Sequence, residues 1–127
     1  MAVGDKKTRA APVCAIIGYD VKFYDRIPEL FPHAPSARDW FTGSAEFADT
    51  TALRNSTLQG AYLMIAARAM GLDVGPMSGF DASGVEREFF PDGDIRANFL
   101  CSLGEGKAEA VFERLPRLAF DDACELA

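Results

Sequence analysis

A chain of 127 residues, 49% hydrophobic and 25% charged, is long enough for one domain with a real core and has the make-up of an ordinary soluble globular protein. Its net charge of −6 denies it the basic face that general nucleic-acid binding and polybasic membrane attachment require. No segment reaches the roughly 18 unbroken apolar residues of a membrane span, MAVGDKKTRAAP lacks the apolar stretch of a signal peptide, and Cys14, Cys101 and Cys124 are spaced for neither a disulfide framework nor a CxxC metal site, so a single cytoplasmic domain over 1–127 is the expectation.

Residues 2–10 are short and polar, the end of a helix or a frayed arm. PVCAIIGYD (12–20) is a compact apolar run, too short for a core helix and rich in branched residues, which predicts a buried strand. YDRIPELF (24–31) predicts a short helix with Pro28 near its first turn. PHAPSARDWFTG has three turn formers and no period, which predicts a loop. From Ser44 to Met70 the chain predicts one long helix, N-capped at Ser44 and stopped at Gly71. From Ala61 onward that helix is apolar on nearly every side, the pattern of a helix buried all round. About 27 residues at roughly 1.5 Å each span ~40 Å, against a domain diameter near ~36 Å. So long an apolar helix needs more cover than one such chain gives, and a second subunit is the simplest cover: a symmetric homodimer is expected. ASGVEREFF (82–90) predicts a short helix and PDGD a turn. IRANFLCSLGEG (95–106) starts as a strand, with Ile95, Ala97 and Phe99 alternating with polar neighbours, and ends in Gly-rich backbone. The remainder, from Lys107, reads as an extended tail with a short final helix. No repeat, low-complexity tract or interdomain linker interrupts the chain.

Catalytic side chains are scarce. The one histidine, His33, sits between prolines in a loop and reads as a solvated surface residue. No GxSxG, P-loop or HExxH pattern is present, and the acid pairs Asp92/Asp94 and Asp121/Asp122 read as solvated charge near turns. Cys14 and Cys101 lie in apolar runs as small buried hydrophobes. That leaves GLDVGPMSGFD (71–81), where Gly75, Pro76 and Gly79 make bare, stiff backbone after the long helix. Glycine admits close approach to the main chain and proline fixes a dihedral. Such a strip offers amide donors to an electron-rich planar ligand. A Gly-capped helix end followed by a tight turn explains the same residues and is the commoner use of this composition.

LRNSTLQGAYLMIAARAMGLDVGPMSGFD (53–81) resembles the central helix and following loop of the FMN-dependent nitroreductase family, most closely its malonic semialdehyde reductase and NADH dehydrogenase/NAD(P)H nitroreductase branch. The similarity extends through AAPVCAIIGYDVKFYDRIPELFPH, FFPDGDIRANFLCSLGEG and RLPRLAFDDAC. It implies a nitroreductase-like α+β fold, with a mixed or antiparallel sheet and a long central helix at a dimer interface. It implies FMN bound between two copies of the chain, with Pro76, Met77, Ser78 and Gly79 against the flavin and the amides of Ser78 and Gly79 near its N5 and O4 edge. Arg114 matches the basic residue that contacts the FMN phosphate, with Arg117 the weaker match. The implied reaction is ping-pong: NAD(P)H reduces the flavin, and a small aldehyde such as malonic semialdehyde, a quinone or a nitro compound accepts the hydride. The flavin carries that chemistry, so no catalytic side chain and no metal are expected. Members of the branch are longer at the N-terminus. This sequence therefore matches the C-terminal two-thirds of the family fold and lacks half of its cofactor contacts. The alternative is a flavin-free remnant that acts only as an assembly or interaction module.

Overall fold

The computed structural model describes residues 5–126. After α1 (Asp5–Ala10), β1 (Val13–Asp20) forms the strand that its branched apolar run predicts. It pairs antiparallel with β3 (Ile95–Gly104), from Val13 opposite Leu103 to Asp20 opposite Ile95. The alternation expected along β3 is broken once. Ile17 faces Phe99 and Gly18 faces Ala97, so Asn98 is an extra residue, a β-bulge that turns its side chain out of the simple two-residue period. Gly18 is required at the bulge: a Cβ there would lie 2.8 Å from Ile95 Cγ2 and 3.2 Å from the Arg96 carbonyl.

The helix α4 (Ala45–Ala69) has the predicted ends. Ser44 Oγ accepts the Phe47 N–H at 3.2 Å. At the other end Gly71 adopts φ 86°, its N–H donates to Arg68 O and the Leu72 N–H donates to Ala67 O, which together make a Schellman stop. One face of α4 is a stripe of small residues, Ala48, Ala52, Ser56, Gly60 and Ala67, and only this stripe is buried. Small side chains let the helix axis lie close on the sheet. Leu58, Tyr62 and Ile65, on other faces of α4, are exposed. The all-round burial expected of this helix is therefore not supplied by the chain itself.

Two stretches differ from the sequence reading. Residues 32–43, expected to be loop, contain a 3-10 turn at Pro35–Arg38 and the one-turn helix α3 (Asp39–Thr42). Non-local contacts fix them. Arg38 pairs with Asp25 at 2.7 Å, and Phe41 packs its ring 4.8 Å from that of Phe23 and 5.3 Å from that of Phe47. The preceding segment is likewise a 3-10 turn at Phe23–Arg26 leading into α2 (Ile27–Leu30). The second difference is β2 (Asp73–Met77), which the sequence reading leaves as bare backbone. β2 pairs antiparallel with β3 from Asp73 opposite Gly104 to Met77 opposite Leu100, and the order β1-β3-β2 puts it at an edge. Pro76 is tolerated there because an edge strand leaves one row of backbone groups unpaired in any case.

Cys101, the most buried side chain of the sheet, lies in the centre of β3, and all three cysteines are free thiols. Burial pushes the Cys101 thiol above its ordinary value of 9.0, against a smaller opposing effect of a backbone hydrogen bond with Gly75. Below that value the thiol is protonated in both states. Above it the unfolded chain ionises first, so stability falls as pH rises past the ordinary thiol range. Urea melts from pH 8 upward are expected to show this alkaline decline, and Cys101→Ala to flatten it. An unchanged slope in that variant contradicts the assignment.

After β3 the chain leaves the body. Every residue from Glu105 to Leu126 is exposed, including Val111, Phe112, Leu115 and Leu118, although the segment contains a 3-10 turn and the short final helix α6 (Phe120–Ala123). α5 (Ala82–Phe89), N-capped by Asp81, precedes β3 and packs on it. Accessible surface totals 9879 Å², whereas a closed monomer of 13.8 kDa exposes about 6,600 Å². Among the described residues no helix is long and apolar enough to cross a membrane.

Candidate functional site

The end of β2, the middle of α4 and the bulged part of β3 enclose an open cleft of about 340 Å³. Pro76, Met77 and Ser78 form one wall, Thr57, Ala61 and Met64 a second, and Asn98 with Phe99 a third. Each wall follows from local structure. Residues 57, 61 and 64 recur at helical spacing on α4. The β2 edge delivers the Pro76–Ser78 strip, and the bulge delivers Asn98. The Asn98 amide donates to Ser56 Oγ at 3.3 Å and to Thr57 Oγ1 at 3.0 Å. Ser56, buried beneath the helix, donates in turn to the Gly18 carbonyl at 2.9 Å. This network ties α4 to both β1 and β3 at the bulge. Thr57 and Asn98 are the polar groups that sequence reasoning missed. The bulge depends on strand register, and nothing in the local composition marks it.

The strip itself is polar backbone with room in front of it. Among the described residues Ser78 and Gly79 donate no amide hydrogen bond, while the Ser78 carbonyl accepts from the Phe80 N–H at 3.0 Å. Gly79 has no left-handed φ, and a Cβ built on it meets nothing within 4 Å. The chain's own geometry thus gives no reason for glycine at that position. Met77 Sδ accepts a long hydrogen bond from Thr8 Oγ1 at 4.0 Å. Ser78 lines the cleft and Gly79 lies just outside its lining; an apolar cleft with two unused donors at its rim suits a flat, partly polar ring system.

The other predicted site residues lie elsewhere. Arg114 and Arg117 are on the exposed arm and do not line this cleft. Arg117 Nη1 donates to the arm's own carbonyls of Leu115 and Pro116, at 2.7 and 3.2 Å. Arg114 makes no ion pair among the described residues. His33 stands on the surface with its ring against that of Phe31.

No protein-family model matches the chain. It is 60% identical over 123 residues to a protein of Ralstonia pickettii named "Putative NADH dehydrogenase/NAD(P)H nitroreductase HadB", covering 95% of this chain and 63% of that one. Over nearly its whole length the chain is similar to the nitroreductase family. The family's fold is also the fold seen here. The solved nitroreductase ydfN of Bacillus subtilis superposes with a TM-score of 0.88 at 22% identity, covering 99% of this chain and 69% of that one. A nitroreductase of Exiguobacterium sibiricum, solved in complex with FMN, superposes with a TM-score of 0.80 at 19% identity, covering 92% and 63%. The nitroreductase-like α+β expectation therefore holds, with an antiparallel sheet and a long helix packed across it. The chain spans about 63% of the length of its Ralstonia relative.

Proposed function

We propose that this chain serves as part of an FMN-dependent NAD(P)H oxidoreductase. One observation carries the reading: at the rim of the cleft Ser78 and Gly79 hold amide donors that the fold does not use, and the space in front of Gly79 is open. The residues present fit a flavin. Ser78 and Gly79 offer N–H groups to the electron-rich edge of the ring, which favours added negative charge there. Pro76 fixes its own φ near the end of the edge strand that leads into those donors. Met64, Met77 and Phe99 supply apolar surface that excludes water from one side of the ring. Arg114, with Arg117 as the second candidate, supplies a cation for the phosphate. FMN, when bound, supplies hydride exchange between NAD(P)H and a small acceptor. A small aldehyde resembling malonic semialdehyde is the favoured acceptor class, with quinones and nitro compounds as others.

The chain works as a homodimer in this reading. Its surface exceeds that of a closed monomer by about 3,000 Å² per chain, so a dimer that covered it would bury about 6,000 Å² in all, at the upper end of obligate interfaces. The exposed apolar residues of α4 and the arm supply the sticky part of that excess. Purified protein is expected to be yellow, to sediment as a dimer, and to bleach with NAD(P)H in the absence of air. A protein that stays colourless with excess FMN yet dimerises supports the assembly-module reading instead, and a flavin-bound protein that NAD(P)H never bleaches rules out turnover by this chain.

A further inference from the structure

We propose that Asp73 sets the course of the C-terminal arm and thereby positions the phosphate-binding arginines without touching the cleft. Asp73 is the first residue of β2 and lies opposite Gly104, the last of β3. Its carboxylate faces two ways. Oδ1 pairs with Arg68 Nη1, from the last turn of α4, and the same Arg68 nitrogen donates to the Leu72 carbonyl at 3.0 Å. Oδ2 accepts the Gly106 N–H at 2.7 Å. One side chain thus joins the end of the long helix, the start of the edge strand and the first residues of the arm.

The exit is also shaped by glycine. A Cβ on Gly106 would lie 2.8 Å from Asp73 Oδ2 and 3.2 Å from its Cγ, and a Cβ on Gly104 would lie 2.7 Å from Pro12 Cδ. The chain therefore passes closely between Pro12 and Asp73 before every following residue becomes exposed. Arg68 and Asp73 are each about half exposed, so the ion pair by itself stabilises little. Its effect is directional: it holds the carboxylate where the Gly106 amide must meet it. Small changes of angle at Gly106 become large displacements at Arg114, eight residues further along. Asp73 is a positioning residue in this scheme.

This inference rests on the flavin reading for its phosphate component, and the test separates the two. FMN and riboflavin, which lacks the phosphate, are titrated against wild type, Asp73→Ala, Asp73→Asn and Gly106→Ala. In parallel, tryptic cleavage after Lys107, Arg114 and Arg117 is followed by mass spectrometry. Asp73→Ala is expected to weaken FMN about tenfold, the size of one lost charge-assisted contact, to leave riboflavin unchanged, and to speed arm cleavage several-fold. Asp73→Asn keeps an acceptor for the Gly106 amide and should fall between. Gly106→Ala should reproduce the loss with every charge retained. Equal weakening of both flavins would assign Asp73 to holding β2 and its strip, and overturn the proposal. So would wild-type FMN selectivity and cleavage rates in both Asp73→Ala and Gly106→Ala. Faster arm cleavage in the variants of a protein that binds neither flavin would uphold Asp73 as the arm's anchor and overturn the flavin reading.

Discussion

Replacing Gly79 with valine is expected to weaken FMN binding by about a hundredfold or more while leaving the fold and its stability unchanged. The two halves of this result have separate causes. Within the chain, a Cβ at position 79 meets nothing within 4 Å, and the backbone there is outside the left-handed region, so valine starts from open space without left-handed strain. An exposed substitution of that kind shifts stability by less than about 0.5 kcal/mol. A flat ring drawn up to the Ser78 and Gly79 amides would, in contrast, occupy the volume of the new methyl groups. Losing two amide hydrogen bonds, each worth about 1 kcal/mol, plus the packing beside them, lowers affinity by about a hundredfold or more. Gly43→Val is the matched control. Gly43 also faces empty space, it caps α3 with helical angles, and it is outside the cleft. Flavin fluorescence titration distinguishes the variants, and FMN affinity in Gly79→Val equal to that of Gly43→Val removes the strip from the site.

Which parts of this arrangement could be read from the residues follows from how local their causes are. Helix α4 is legible because both of its stops are local: a serine three residues before the amide it caps, and a glycine that can take a positive φ. β1 is legible because its branched apolar run is short and uninterrupted. β2 is not, because Gly75 and Pro76 argue against a strand on propensity and only the edge pairing with β3 overrides them. The turns in 32–43 escape for the same reason, since Arg38 and Phe41 are held by Asp25, Phe23 and Phe47. In the cleft, the Pro76–Gly79 strip is visible as composition, whereas its polar wall is not. Thr57 sits on a helix face that looks generic, and Asn98 enters the cleft only because one residue of β3 is left over in the pairing with β1.

The small-residue stripe of α4 makes the second large effect, and here two known tendencies oppose one another. Gly60 lies in the interior of the helix, where alanine is worth about 1 kcal/mol more than glycine on intrinsic propensity. Yet a Cβ at position 60 would overlap the Phe99 ring at both Cζ and Cε1 and lie 3.3 Å from Ile17 Cγ2. Relieving that overlap means shifting the ring or lifting the helix off the sheet. Overpacking of this kind costs about 1–3 kcal/mol, so Gly60→Ala should be destabilising by about 1 kcal/mol after the propensity gain is subtracted. Gly60→Leu should cost at least about 3 kcal/mol, because its larger side chain adds to the overlap that a Cβ alone already makes with Phe99. Phe99 also lines the cleft, so the ring displaced by Gly60→Ala should narrow it and weaken FMN as well. Shortening the opposing side chain separates the two tendencies. In a Phe99→Leu background the overlap disappears and Gly60→Ala should become neutral or stabilising, a coupling of about 1 kcal/mol or more in a double-mutant cycle read by urea denaturation. Should Gly60→Ala instead stabilise the protein with Phe99 in place, the ring swings aside at no cost and the close seating of α4 on the sheet is not what holds the cleft's shape.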